Sequence, residues 1–500
     1  MKPMGKWLTK SDYMKFLIHP AYLWIAKYDK DKLPPFGETA QAAVAQGYAV
    51  EAAAADLFPG GRLIDVPMFD GPDETARLMR TGGPDTLFQP SILTDHRLYV
   101  RSDVMVRQGA TWDLYEIKGS SSVKTAHLLD LAFQKYVWEQ SGYTIGRSYI
   151  ILVNNQYVRD GDIDPKQLFT VTEVTDQIEP LAKSTAAKVE EALELMKQSE
   201  HPDDAPELAA EWYGYRDVYR HLHPEIAKES ILNLTRLNLE QLKALAARYI
   251  TKIGDIPEDL PDIKPQQLAQ IEVVRSGHPV IHTEKIAHSL SELKYPLYFL
   301  DYETFAGALP LWDGVRPFQQ LPFQYSVHII EEPGGDLIQK EYLARGTDYP
   351  VEKLARQLSE DIGPTGSVIV WNKAFEMGCN DAMAALHPEF APFLQGVNER
   401  VYDLMEIFVN GWFAHPDFYG SASIKKVLPV LVPELSYKEL GIGEGLTAQI
   451  RWMAAARGEL SEDEAAQVYA HLVEYCGQDT LAMVRIYEVL VATIDENAKV

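Results

Sequence analysis

The chain has 500 residues of ordinary globular composition, with 47 lysines and arginines against 72 aspartates and glutamates and a formal charge of −25. That length supplies about two to four domains with real cores, while the acidic excess argues against a general nucleic-acid coat, which needs a basic surface to neutralise phosphates. Cys379 and Cys476 are the only cysteines, which excludes a disulfide framework and a four-cysteine metal site within one chain; with no apolar run long enough to span a bilayer and no leader-like start, a cytoplasmic protein without a membrane partner is expected.

Residues 1–32 carry seven lysines against three aspartates, a locally basic surface or simply a solvated helix face. Cap residues between Thr9 and Asp12, ahead of Tyr13, Phe16, Leu17 and Leu23, predict a helix that Pro34-Pro35 breaks. An alanine-rich helix over 40–57 closes at Pro59-Gly60-Gly61. Strand chemistry then takes over: Leu98 to Val100 leads into Asp103 to Val106, and Trp112 to Lys118 returns after Gln108-Gly109-Ala110, which reads as a β-hairpin. A helix over 124–140, strands over 148–153 and 168–174, and a polar helix to about Ser199 complete an α/β domain over 1–200.

The hairpin sets Asp103 on one strand and Glu116 and Lys118 two residues apart on the next, hence on one face. A surface salt bridge accounts for that pair as well as a catalytic role does. The pattern resembles the PD-(D/E)xK nucleases of the RecB-like branch. The resemblance implies that Asp103 and Glu116 hold a metal, that Lys118 polarises the phosphate or the water, and that Gln134 on the following helix belongs to the catalytic set. Trp138 stands where the branch has a tyrosine four residues after the glutamine, the iron–sulfur cysteines of some relatives are missing, and the upstream acid is open between Glu51 and the position of Gln89.

Residues 201–293 read as a helical connector: Leu239, Leu242, Leu245 and Ala246, then Leu268, Ile271 and Val274, recur at helical spacing between breaks at Gly254, Pro257, Pro261 and Pro265.

A second α/β domain spans 294–500. The apolar run from Leu297 predicts a buried strand that places Asp301 and Glu303 on one face. Two like charges that close repel unless a cation lies between them, although a strand end meeting water also explains Asp-x-Glu alone. Strands over 323–331 and 337–343 join across Pro333-Gly334-Gly335, a helix covers 351–358, and a strand over 367–371 runs through Asn372 into a helix over 374–386 that carries Glu376. Ser461 and Glu464 form a capping box for the last helix, on which Tyr475 and Asp479 share a face at i and i+4. No phosphate-binding loop of the nucleotide-hydrolase type occurs.

This order of motifs resembles the DEDD 3′ to 5′ exonucleases of ribonuclease H-like fold. The resemblance implies that Asp301, Glu303, Glu376 and Asp479 ligate two divalent ions, Mg²⁺ or Mn²⁺, and that Tyr475 orients the attacking water. The family has aspartate where Glu376 stands, so Asp381 or Asp403 is an alternative third ligand. The two halves together resemble a bacterial family of predicted RecB-like nucleases with a C-terminal ribonuclease H-like domain of unknown function. The expectation is therefore a PD-(D/E)xK restriction-endonuclease-like domain, a helical connector and a DEDD exonuclease-like domain, forming a metal-dependent nuclease with two candidate sites and a role in repair or defence. Its partner is nucleic acid, DNA ahead of RNA. The competing readings are a catalytically impaired binding or scaffold protein, favoured by Glu376, the broken glutamine motif and the acidic charge, and an RNA exonuclease, because both polymers present the same phosphodiester.

Overall fold

Residues 7–80, 82–202, 216, 218–223, 228–437 and 440–497 are described, from a computed structural model. They are mixed α and β. Contacts divide the chain into two units, Met1–Glu225 with Gly307–Phe318 and Ile226–Ala306 with Gln319–Val500. Within the stretch read as a connector, the residues from Ile226 onward group with the second unit. Gly307–Phe318, inside the stretch assigned to the C-terminal domain, clusters with the first.

In the first unit, β1 (Arg62–Leu63), β2 (Thr86–Phe88), β3 (Val104–Gln108), β4 (Thr111–Lys118), β5 (Ile145–Val153) and β6 (Phe169–Glu173) lie side by side in chain order. β1–β2 and β4–β5 are parallel and the other pairs antiparallel. The β3–β4 hairpin turns at Gly109, whose φ of 65° is the left-handed backbone that glycine adopts without a Cβ penalty. Alternation along β4 divides its side chains between two cores. Trp112 and Leu114 pack with Tyr13 and Phe16 of α1 (Lys10–Ile18) and Phe133 and Val137 of α3 (Thr125–Gln140), whereas Ile117 packs with Val50 and Ala54 of α2 (Glu38–Ala55). Glu116 and Lys118 continue the Trp112 face and so point towards the α1 and α3 side.

In the second unit, β7 (Leu297–Phe305), β8 (Leu321–Ile330), β9 (Leu337–Leu343), β10 (Ser367–Val370) and β11 (Val401–Asp403) form a sheet of order β9-β8-β7-β10-β11. β8 is antiparallel to both neighbours, and β10 and β11 continue parallel to β7. Helices α4 (Val351–Asp361), α5 (Lys373–Leu386), α6 (Ile424–Leu431), α7 (Gly445–Ala456) and α8 (Glu462–Asn497) surround it. α6 carries Pro429 inside it, and sequence periodicity had marked neither α6 nor α7. α7 is seated by Trp452, which stacks on Phe323 at 4.2 Å and donates its indole N–H to the Ala344 carbonyl at 2.9 Å.

The two faces of β7 meet different helices. Phe299 packs against Tyr487 of α8, while Tyr302 on the opposite face donates its hydroxyl to Asn380 of α5 at 2.8 Å. Asp301 and Glu303 share the Phe299 face and so look towards α8. Buried polar contacts fix the rotation of that long helix: Gln324 of β8 donates to the Leu472 carbonyl at 2.8 Å, and Thr480 meets Ser326 at 2.9 Å and His328 at 2.8 Å.

Candidate metal centre

β7 and α8, held in that register, bring carboxylate oxygens of Asp301, Glu303 and Asp479 within 4.8 Å of one another. Glu303 is 7 % and Asp479 8 % exposed. The β7–β8 ladder shifts register between Glu303 and Thr304, an irregularity of the kind that re-aims a side chain beside a site. Glu376, in the first turn of α5, lines the same cleft, as do Tyr475 of α8 and Lys425 of α6. The alternative third ligands do not line it. Asp403 gives one oxygen to the Lys373 N–H and the other to the Met405 N–H, both at 3.0 Å, and Asp381 accepts from Asn398 at 2.9 Å. Glu376, by contrast, is 3 % exposed and its Oε2 has no hydrogen-bond partner.

The electrostatics follow from crowding acids away from water. Burial, then the charge of Asp479, pushes Glu303 up to about 8, with Lys425 opposing. Burial takes Glu376 to about 8 as well. Asp479 rises less, to about 6, because Tyr437, Lys425 and Tyr475 stabilise its charged form against burial. Asp301 is raised by burial and by all three neighbouring acids. An orphaned carboxylate oxygen beside three clustered acids fits a hard divalent cation, which takes oxygen ligands and relieves the repulsion.

Two residues of this site carry no local sequence signal. Tyr437 donates its hydroxyl to Asp479 Oδ1 at 2.6 Å, and Lys425 Nζ donates to the Tyr475 hydroxyl at 3.1 Å and to the Gly443 carbonyl at 2.6 Å. Each lies in an ordinary stretch of chain and reaches the acids only through packing.

Carboxyls raised in the fold hold protons that the unfolded chain has already released, so their contribution is lost as pH rises from about 4 through the folded values of about 6 to 8. In chelator, the parent protein is expected to lose melting temperature across that window relative to Glu303→Gln, and Mn²⁺ at the alkaline end is expected to restore it. Parallel pH profiles for parent and variant, with no Mn²⁺ response, would contradict this.

The first unit gathers its expected residues differently. Glu116 Oε1 accepts from Lys118 at 2.6 Å and from Lys10 at 2.7 Å, and Oε2 accepts from Gln134 at 2.6 Å. Asp130, which the sequence reading passed over, accepts from Lys118 at 2.8 Å and from Gln134 at 3.0 Å. Asp103 Oδ2 accepts the Ile117 N–H at 2.7 Å, and Glu51 accepts from Gln89 at 3.0 Å. Burial pushes Glu116 up, but Lys10 and Lys118 outweigh it and leave its carboxyl below the usual range. Trp138 is fully buried and donates its indole N–H to Ser102 at 2.9 Å.

Comparison with known proteins adds relatives. A family model described as Domain of unknown function (DUF2779) matches residues 298–423, a span that holds Asp301, Glu303, Glu376 and Lys373 but stops before Lys425, Tyr475 and Asp479. The chain is 29% identical over 213 residues to an uncharacterized protein of Mycoplasma pneumoniae, covering 39% of this chain and 32% of the relative. It is 26% identical over 228 residues to an uncharacterized protein of Ureaplasma parvum, covering 41% and 33%, and 26% identical over 221 residues to one of Mycoplasma genitalium, covering 40% and 33%. The chain thus spans about a third of the length of the curated relatives it matches.

Proposed function

We propose that the second unit is a metal-dependent phosphodiester hydrolase, a 3′ to 5′ exonuclease of the DEDD type on a ribonuclease H-like fold, acting on DNA in preference to RNA. The observation that carries this reading is the meeting of Asp301, Glu303 and Asp479 oxygens within 4.8 Å, from elements more than 150 residues apart in the chain. Asp301, Glu303, Asp479 and Glu376 would hold Mg²⁺ or Mn²⁺. Bound there, the metal supplies charge stabilisation for the entering and leaving oxygens of an in-line displacement. Tyr475 accepts from Lys425 and directs its own O–H towards Asp479, which holds the hydroxyl at the acids and suits it to orienting a water. Lys425 also brings positive charge to a cleft whose other charged lining residues, Asp301, Glu303, Glu376 and Asp479, are acids, where a phosphate must approach. Phe375 and Leu446 give the same cleft apolar surface suited to a sugar or base.

The test is purified protein with Mg²⁺ or Mn²⁺ on end-labelled single-stranded and duplex DNA and RNA. Progressive shortening from the 3′ end that stops in chelator is expected. No product on any of these substrates, or cleavage that persists in chelator, would overturn the assignment; equal or faster loss of RNA would replace the DNA preference.

A further inference from the structure

The first unit holds an acidic set whose cations come from the chain itself. Glu116 is 1 % and Asp130 5 % exposed, and carboxylates buried that deeply require a partner for each oxygen. Every one of their oxygens has one: the two ammonium groups of Lys10 and Lys118 and the amide of Gln134 cover all four. Lys10 Nζ sits 2.7 Å from Glu116 Oε1 and 3.7 Å from Asp130 Oδ2, bridging the two acids as a bound ion would. Asp103, the partner ligand implied by the RecB-like resemblance, has one oxygen committed to the Ile117 N–H, and Asp103, Glu116 and Asp130 do not form a cluster as tight as that around Asp301.

Lys10 is delivered by rigid local structure. Leu8 and Thr9 pair in register with Leu98 and Tyr99, and Thr9 and Asp12 exchange hydrogen bonds in a capping box that starts α1. The first residue after that cap is Lys10, so its stem leaves a point fixed by both a strand and a helix end. A divalent ion entering at Glu116 would have to expel this ammonium and meet the Lys118 charge beside it, and the residues present do not fit a metal.

We propose that Lys10 occupies the cation position of the first unit, so that this site is held together by a tethered ammonium and binds no divalent ion, leaving the chain's metal binding to the second unit. This inference does not rest on the exonuclease reading, because its test removes the second site from play.

Mn²⁺ titrations followed by electron paramagnetic resonance on full-length Asp301→Asn, Asp479→Asn protein should show no stoichiometric binding. Stoichiometric Mn²⁺ in that background would overturn the proposal at once. Adding Lys10→Met, which keeps the apolar stem and removes the charge, should create a Mn²⁺ site tighter by roughly 10³ or more, the least factor expected when a unit charge about 4 Å away is removed at an effective dielectric of about 20. Lys10→Arg should bind none. A folded Lys10→Met protein that binds no better than Lys10→Arg would refute the claim that the ammonium fills the cation position. Should Lys10→Met not fold, the double variant and Lys10→Arg still decide, since tight Mn²⁺ in either refutes it.

Discussion

Asp301→Asn is expected to remove exonuclease activity by at least roughly 10³-fold while leaving the fold intact. The substitution keeps the shape of the side chain and takes away one charge from the point where Glu303, Asp479 and Glu376 all raise the cost of ionisation. Little protein structure depends on that charge: its side-chain contact is the Cys476 thiol at 3.6 Å, a weak donor. In chelator the variant should therefore melt at or above the parental temperature, because repulsion among the buried acids falls. With Mn²⁺ the order should reverse, since only the parent gains the stabilisation of a bound ion. The combination is diagnostic. A carboxylate with a purely structural role predicts a lower melting temperature and unchanged turnover per folded molecule. Variant protein that shortens labelled 3′ ends at the parental rate would remove Asp301 from the chemistry.

Tyr475→Phe should slow the chemical step by roughly 10² to 10⁴, the contribution of a positioned proton-handling group, with metal affinity nearly unchanged. The side chain is 4 % exposed, so its ring fills space that phenylalanine fills equally well. What the variant loses is the hydroxyl between Lys425 and Asp479. Lys425 retains its bond to the Gly443 carbonyl and does not swing free. Single-turnover rates at saturating Mg²⁺, with melting temperature measured in parallel, separate positioning from packing. A parental rate in the variant would make Tyr475 a core aromatic on an amphipathic helix and weaken the exonuclease reading as a whole.

The candidate site of the second unit was legible in the sequence only to the extent that local geometry carries it. Alternation along Leu297–Phe305 put Asp301 and Glu303 on one face, the i to i+4 spacing put Tyr475 and Asp479 on another, and strand β7 and helix α8 form where periodicity and the Ser461–Glu464 cap placed them. Backbone dihedrals repeat within an element, so which side chains share a face follows from the order of residues alone. The same reasoning found the β3–β4 hairpin and set Glu116 beside Lys118.

Which faces meet was decided elsewhere. Glu376, Asp381 and Asp403 are equivalent as letters; only the folding of α5 and β11 against the sheet gives Asp403 two backbone N–H partners and leaves Glu376 with an orphaned oxygen. Lys425 reaches Tyr475 from 50 residues away, and Lys10 reaches Glu116 from 106. No periodicity spans such distances, because those contacts are set by how separately formed elements pack and by the need of each buried charge to find a partner once water is excluded. For that reason the chain's order of residues determined the carboxylates it offers to a cation, while the tertiary structure decided that the second unit leaves them open and the first closes them with its own lysines.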